Sequence, residues 1–370
     1  LWLGATSSPL RKPHRGSPVS PDKRGAATGH PSYSLPAAHR TALPHPGFGH
    51  LRTLTDEKGV WEHARILTPR TEHGFCTDDN ARALLVVCRQ PSHPADLEDL
   101  AAIYLRFVLE ARIDSGHFHN RRDAAGTWID DVGSDDSQGR AWWGLGTVAR
   151  LGPNASMRQA GADAFATCAS FDSPHLRANA YAALGAVEML MADPDSSAAT
   201  QLLARSSGRI ADAARGRIPW PEDRLTYDNA RLPEALLAAG AWLGDRRLIS
   251  TGLRLLEWLV QVETSGDHFS FTPAAGWNPG EPRPAFDQQP IEAVAMAAAC
   301  YRAWAITSDA AWRRQAISAA QWFIGRNDTG MVLYDEATGG TCDGLMERSV
   351  NENRGAESTL SGLAALQIAA

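Results

Sequence analysis

The chain has 370 residues, of which 44% are apolar, and its formal net charge at pH 7 is −6. The apolar fraction suffices for a sizeable core, and the negative charge gives no reason to expect a nucleic-acid partner. The five cysteines lack CxxC spacing, which indicates reduced thiols in a cytoplasmic protein and argues against a zinc site or a disulfide framework. No apolar run is long enough to span a bilayer.

The N-terminal segment differs in composition from the remainder of the chain. Residues 1–44 are rich in Pro, Ser, Arg and His, show no helical or strand periodicity, and contain no apolar stretch of the kind that a signal peptide needs. We predict a disordered or extended lead-in over 1–44 and one folded domain over 45–370. At the start of that domain, residues 48–64 predict a short helix followed by a turn and an extended segment.

Six polar motifs, each followed by a helix of small apolar residues, dominate the pattern. They begin at Thr77, Ser134, Phe171, Thr226, Phe286 and Asn351. Amphipathic helices are predicted between them, over 96–111 (capped by Asp96), 156–169, 196–215, 245–263 and 309–324. Small residues allow the close helix approach of an inner ring, and amphipathic helices suit an outer ring with one wet face. The pattern predicts an all-α fold, an (α/α)6 toroid of inner and outer helix pairs. Only five outer helices follow inner ones, so residues 48–64 are the candidate for the sixth outer position.

The inner helices of such a toroid run parallel, so the six motifs would meet at one end of the barrel. An acidic residue at a helix start is commonly a cap, and we interpret a single acid such as Asp172 in this way. The doubled acids, Asp78 with Asp79 and Asp135 with Asp136, each include one carboxylate more than a cap requires.

Glu292 and Glu357 lie in the first turns of their predicted helices, where the helix dipole favours a negative charge whether or not the group reacts. Glycoside hydrolysis needs one carboxyl group that is protonated as an acid and a second that acts as base or nucleophile. Several acids crowded on one rim would raise at least one pKa by mutual repulsion. We predict Asp79 and Asp136 as one part of the catalytic pair, with Glu292 or Glu357 as the other.

Amides, arginines and aromatic rings accompany these acids, a combination that suits hydrogen bonding to sugar hydroxyls and stacking on sugar rings. The predicted substrate-binding residues are His73, Asp78, Asn80, Arg82, Asp135, Arg140, Trp143, Tyr227, Asp228, Asn229, Gln288, Gln289, Asn351 and Asn353. The histidines lack HxH or HExxH spacing, so structural or hydrogen-bonding roles are favoured over metal binding. The sequence contains no phosphate-loop, dinucleotide-binding or GxSxG motif, and we expect neither a metal nor a cofactor.

Five of these motifs carry a resemblance to a known family: HGFCTDDNARAL from His73, GSDDSQGR from Gly133, TYDNARL from Thr226, DQQPIEA from Asp287 and NENRGAEST from Asn351. Together they resemble a bacterial family of six-hairpin glycosidase-like proteins, whose members occur alone or alongside glycosyltransferases. The resemblance covers about residues 48–370 and implies an (α/α)6 toroid and a role in carbohydrate metabolism. It implies neither a particular substrate nor particular catalytic residues.

Three functions fit these observations. The first is a glycoside hydrolase that acts on an oligosaccharide or polysaccharide. The second is a non-catalytic glycan-binding partner of a glycosyltransferase, in which the same carboxylates accept hydrogen bonds and keep ordinary pKa values. The third is a sugar epimerase, which would need a histidine pair facing the substrate; His73 and His175 are the candidates. Terpene cyclisation is excluded because the predicted rim is too polar for it.

Overall fold

Helices dominate the computed structural model, which describes residues 42–216 and 219–370. A short helix, α1 (Gly49–Thr53), comes first. The inner helices are α2 (Thr77–Cys88), α4 (Asp135–Leu151), α6 (Leu176–Ala192), α8 (Arg231–Leu243), α10 (Pro290–Thr307) and α12 (Ala356–Ala369), and the outer helices are α3 (Ala95–Glu110), α5 (Ala155–Phe165), α7 (Ser197–Ala213), α9 (Arg246–Glu263) and α11 (Ala310–Gln321). Each inner helix contacts the next, α12 returns to α2, and each outer helix packs on the inner helix before it. The fold is the expected (α/α)6 toroid.

The segment before α2 takes the outer position beside α12. Helix α1 contacts α12, and Leu51 and Leu54 join the hydrophobic core. The ring itself closes where Gln367 Nε2 of α12 donates to the backbone carbonyl of Val86 on α2, at 2.8 Å. The lead-in predicted over 1–44 lies outside the described residues except for 42–44, and of these Leu43 packs against the core.

Glycine lets α4 and α6 approach each other very closely. A Cβ atom added at Gly146 would lie 2.1 Å from the carbonyl oxygen of Gly185, and one added at Gly185 would lie 2.5 Å from the carbonyl oxygen of Trp142. Contacts this short exclude any side chain, so the small residues of the motif helices have the packing role that the sequence indicated.

Five antiparallel two-stranded sheets occur among the described residues; four are hairpins, and the fifth joins strands that α2 and α3 separate in sequence. They are β1 (Thr55–Asp56) with β2 (Gly59–Val60), β3 (Ala64–Arg65) with β4 (Thr68–Pro69), β5 (Phe75–Cys76) with β6 (Arg121–Arg122), β7 (Thr264–Ser265) with β8 (His268–Phe269), and β9 (Gly344–Leu345) with β10 (Val350–Asn351). Strand β5 runs directly into α2, and its pairing of Cys76 with Arg121 ties the long loop before α4 to that helix. Strand β10 lies just before α12. The sheets therefore fix loops around the N-terminal ends of inner helices.

Two predicted caps are wrong. Helix α3 begins at Ala95, so Asp96 lies in its first turn and pairs with Arg52 instead of capping the helix. Asp172 forms a surface ion pair with Arg209, and the residue at the N-cap of α6 is His175, which makes no side-chain cap bond. Each of these carboxylates pairs with an arginine instead of accepting the free N–H groups of a helix start.

Two expectations from composition agree with the structure. All five cysteines are buried free thiols. Among the described helices, none combines the length and the apolar character that a membrane crossing requires.

The close contact between α4 and α6 predicts opposite outcomes for two glycine substitutions. Gly146→Ala should destabilise the protein by about 1–3 kcal/mol, because the added methyl group meets backbone that cannot move aside. Gly208→Ala in α7, where no described atom lies within 4 Å of an added Cβ, should stabilise it by up to about 1 kcal/mol through helix propensity. Urea unfolding of both variants measures this; equal stability of the two would contradict the packing described.

Candidate functional site

The N-terminal turns of the inner helices meet at one end of the ring, where ion pairs connect them. Arg82 Nη2 of α2 lies 2.7 Å from Glu357 Oε2 of α12. Arg140 of α4 lies between two other motifs, with Nε 2.7 Å from Asp78 Oδ1 of α2 and Nη2 3.0 Å from Asp228 Oδ2, just before α8. Acids and arginines that are far apart in sequence therefore form one polar cup.

A polar cavity of about 380 Å³ opens within this cup, beside α2, α12 and the loops that precede them. Of the residues predicted from sequence, Asp78, Asp79, Arg82, Gln289, Asn351 and Glu357 line it. Its other lining residues include Glu62, His63, Cys76, Asn120, Arg121, Asp343 and Ser358. The volume falls in the range of small-molecule sites, but the walls carry far more carboxylates and amides than a site for an apolar ligand.

Arg82 holds three carboxylates of this cavity. Its Nη1 lies 2.5 Å from Asp79 Oδ1, and its Nη2 contacts both Asp78 Oδ2 at 2.8 Å and Glu357 Oε2 at 2.7 Å. Burial disfavours the charged guanidinium, yet the three acids together raise the pKa of Arg82 well above its ordinary value. The arginine is thus a permanent cation that fixes carboxylates from two helices.

Asp79 is buried, and a cysteine, not this acid, caps α2. The N-cap of α2 is Cys76, whose Sγ accepts from the backbone N–H of Asp79 and donates to Asp79 Oδ2 at 3.2 Å. Burial raises the pKa of Asp79 to about 7; Arg82 opposes the shift, and the neighbouring acids Asp78 and Glu357 reinforce it. This carboxyl group therefore keeps its proton close to neutral pH.

Glu62 faces Asp79 across the cavity wall. Its Oε1 accepts from Arg121 Nη1 at 2.6 Å, whereas its Oε2 is buried with no hydrogen-bond partner among the described residues. Glu62, Cys76 and Asp79 place one donor atom each within 4.8 Å of one another, the spacing of a three-ligand metal set. Burial raises the pKa of the Cys76 thiol well above its usual range. Without a metal, the cluster is therefore a hydrogen-bonded acid and thiol at neutral pH.

The second acid pair lies on the adjoining rim, at the start of α4. Ser134 caps α4, so neither acid of the pair is needed for that purpose. Asp135 accepts from Ser173 Oγ at 2.5 Å, and Asp136 accepts from the hydroxyl of Tyr227. Burial raises the pKa of Asp136, and the Tyr227 hydrogen bond opposes the rise.

Glu292 is buried below the rim and supports the start of α8. It accepts the backbone N–H groups of Asp228 and Asn229, the latter at 3.2 Å, and also the side-chain amide of Asn229 at 3.1 Å. Burial, with the nearby acids Glu263 and Asp228, raises its pKa to about 8. The structure thus places this predicted catalytic residue, with Asp228 and Asn229, behind the cavity wall.

Three other predicted binding residues also lie inside the protein. Asn80 Oδ1 accepts from the backbone of Val60 at 3.1 Å. Gln288 Oε1 accepts from Trp322 Nε1 at 3.0 Å. Trp143 is buried, with its ring parallel to that of Tyr181. The side chains of these residues make contacts inside the protein, so only part of each motif faces the cavity.

Two predicted residues, His73 and Asn353, lie beside the cavity but do not line it. The ring of His73 packs edge-on against His63, with centroids 4.8 Å apart, and its Nε2 has no hydrogen-bond partner among the described residues. His175, the other histidine considered for an epimerase, lies instead by Asp135, at 4.0 Å. Asn353 accepts from the backbone of Ile66 and lines an adjacent cavity of about 760 Å³.

The residues that sequence reasoning missed come from short hairpins and loops. Glu62 and His63 lie between β2 and β3, Arg121 is in β6, and Asp343 directly precedes β9. None belongs to a doubled-acid motif, and two-residue strands have no periodicity to detect. The only available signal was the concentration of polar residues in loops that adjoin inner helices.

Comparison with solved structures identifies carbohydrate-active enzymes of the same architecture. The chain is similar to a cellobiose 2-epimerase from Bacillus thermoamylovorans B4167, with a TM-score of 0.68 and 11% identity over 87% of this chain and 96% of that one. For a D-mannose isomerase the TM-score is 0.67 at 11% identity, covering 86% and 94%. For a GH76 alpha-mannanase of Bacteroides thetaiotaomicron it is 0.57 at 11% identity, covering 86% and 91%.

This chain shares their fold. At such low identity the likeness supports the architecture alone, including the six-hairpin arrangement that the motif resemblance implies. Neither a scan of protein-family descriptions nor a search of curated proteins finds a match.

The raised pKa of Asp79 predicts a pH dependence of stability. Between the ordinary value of 3.8 and about 7, the folded protein keeps a proton that the unfolded chain has lost. The stabilisation from that proton is complete below this window and is lost as the pH rises through it. Asp79→Asn does not titrate, so its stability relative to the natural protein should increase from about pH 4 to about pH 7 and then level off.

Urea unfolding across that pH range measures the difference. Asp212→Asn, which alters a surface acid of α7 that is 69% exposed, is the matched control and should show no such trend. A difference between Asp79→Asn and the natural protein that stays constant with pH would contradict the buried, protonated acid.

Proposed function

We propose that this chain is a carbohydrate-active enzyme that hydrolyses a glycosidic bond of an oligosaccharide. One observation carries the proposal: Asp79 and Glu357, from the first turns of adjacent inner helices, meet at Arg82 in the wall of a polar cavity. Hydrolysis of this kind needs two carboxyl groups at one site, of which one is protonated and the other is free to act as base or nucleophile.

The two acids differ in the way that these roles require. Asp79 is buried and holds its proton to about pH 7, which suits a general acid that donates to the leaving oxygen. Glu357 has a side chain that is 40% exposed, so substrate or water can reach it, which suits the base or nucleophile. After Asp79 gives up its proton, the contact with Arg82 stabilises the resulting carboxylate.

The cavity walls favour an oligosaccharide as the substrate. Asn120, Gln289 and Asn351 supply amide groups that can hydrogen-bond to sugar hydroxyls. The backbone N–H of Asp343 donates to the carbonyls of both Asn351 and Asn353, at 3.0 and 2.8 Å, so the cavity lined by Asn351 and the adjacent one lined by Asn353 are neighbours. Two neighbouring polar cavities suit a chain of sugar units better than a single unit.

Asp136 is better suited to substrate binding than to the acid/base pair. It lies on the adjoining rim, held by the Tyr227 hydroxyl, and Tyr227 itself is 42% exposed and offers a flat face to a sugar ring. We place Glu292 in a supporting role, because its oxygens already accept the N–H groups at the start of α8.

A sugar epimerase is the second candidate, and a specific contact favours it. His63 lines the cavity, and His73 packs against it, with an Nε2 that makes no hydrogen bond to the described residues. Two adjacent imidazoles can take a proton from a carbon beside a carbonyl group and return it. The similar structures include a cellobiose 2-epimerase as well as a glycoside hydrolase, so the fold is compatible with both chemistries.

The hydrolase proposal predicts that Asp79→Asn and Glu357→Gln each lower the hydrolysis rate at least about 100-fold, because each removes one half of the acid/base pair. Purified protein is screened against oligosaccharides, and proton NMR of the products reports cleavage and the anomer released. Asp212→Asn and Glu257→Gln, which alter exposed acids of α7 and α9, serve as controls and should keep full activity.

Hydrolysis that survives both substitutions would refute the assignment of the pair. Binding of glycans without turnover across the panel would instead favour the role of a glycan-binding partner of a glycosyltransferase.

The same panel in deuterium oxide separates the epimerase. Epimerisation would place deuterium at C2 of the reducing sugar and leave the glycosidic bond intact. His63→Asn or His73→Asn would abolish this exchange, because each removes an imidazole that moves the proton. Hydrolysis would release a shorter sugar with no label at C2, and we expect this second result. Label at C2 that both histidine variants lose would overturn the hydrolase proposal.

A further inference from the structure

The barrel axis contains a second, much smaller cavity below the polar cup. Its volume is about 40 Å³, and Arg82 lines it as well as the larger cavity. One water needs a cavity of about 10–15 Å³, so the space holds a monatomic ion with one or two waters and excludes a sugar ring.

Four arginines line this small cavity: Arg82, Arg89, Arg140 and Arg231. No acidic residue is among the described residues that line it. The carboxylate partners lie elsewhere around each guanidinium; Glu188, for example, pairs with Arg89 at 2.9 Å. The cavity face therefore presents only cationic groups, and their partner carboxylates offset part of the repulsion between them.

Trp143 supplies an independent sign that a ligand is missing from this space. It lines the cavity and is only 4% exposed, and its indole N–H has no acceptor among the described residues. The guanidinium carbons of Arg231 and Arg89 lie 5.0 and 5.4 Å from its ring centroid. A buried N–H without an acceptor is costly, so a group that accepts a hydrogen bond here would be stabilising.

An anion meets these conditions better than water. Among the described residues of the lining, three donors and one acceptor lack a hydrogen-bond partner: Trp143 Nε1, Arg82 Nε, Arg140 Nε and Gln367 Oε1. Of these, Arg140 Nε lies 2.7 Å from Asp78 Oδ1 in an ion pair. Water would satisfy these atoms but would leave the repulsion between the guanidiniums unchanged. A halide ion accepts from several donors at once and also reduces that repulsion.

We propose that this axial cavity binds a small monovalent anion of the halide class, held by Trp143 Nε1–H and the surrounding guanidinium groups. The anion would lie below Arg82, outside the cavity of the proposed reaction. Its binding can therefore be measured without a sugar substrate.

The test uses the full-length protein and bromide as the probe. Crystals soaked in sodium bromide should show an anomalous peak in the axial cavity. In solution, the melting temperature should rise saturably as chloride replaces gluconate at constant ionic strength. Trp143→Phe keeps the ring and removes the N–H, so it should lose both the peak and the rise.

Trp220→Phe is the matched control. Trp220 is also buried, and its indole N–H has no acceptor in the part of the chain that the structure describes, but it stacks on Trp258 and does not line the axial cavity. This variant should keep the bromide peak and the full chloride response. Water alone in the cavity at saturating bromide would overturn the proposal, and that measurement on the natural protein decides the matter even if Trp143→Phe fails to fold. An equal chloride response in both variants would overturn it too.

Discussion

A single guanidinium group, that of Arg82, connects the first inner helix to the last and organises the acids between them. It contacts Asp78 and Asp79 on its own helix and Glu357 on α12. Buried charges are tolerated only when they are paired, so this set of acids is held in one place by one cation. The same helices also join through the Gln367 to Val86 hydrogen bond. Contacts between α2 and α12 therefore both close the ring and assemble the polar cup.

Acids within this cup have opposite pKa shifts, and the number of cations that each one faces explains why. Burial alone would raise the pKa of Asp228, but Arg231 and Arg140 outweigh it and lower the pKa. Asp79 is equally buried but shares Arg82 with two further acids, so its pKa rises to about 7. Asp228, which contacts two arginines, is structural, whereas Asp79, which among the described residues contacts only one arginine, Arg82, is suited to proton transfer.

The sequence predicted the ring better than it predicted the cup. Helix number and the small residues followed from a pattern with a direct physical cause, the close approach at Gly146 and Gly185. The first pair of doubled acids also lies at the end of the barrel where the polar cavity opens. A motif does not reveal which side of its first turn faces the cavity, however, and Glu292 points inward to backbone N–H groups. Loop residues such as Glu62 had no detectable pattern, because the hairpins that carry them are only two residues per strand.

Under the proposed function, the position of Arg82 between the two cavities limits how deep a sugar can reach. The larger cavity is lined by acids and amides, whereas the smaller one below it is lined by arginines, a tryptophan and apolar side chains. Trp143, which its motif suggested as a sugar platform, belongs to the lower level, where guanidiniums of Arg89 and Arg231 lie near its ring. A substrate that enters past the loops therefore meets Arg82 as a floor. Under that proposal, cleavage of the glycosidic bond is confined to the level of Asp79 and Glu357, and the deeper space is left to ligands the size of an ion.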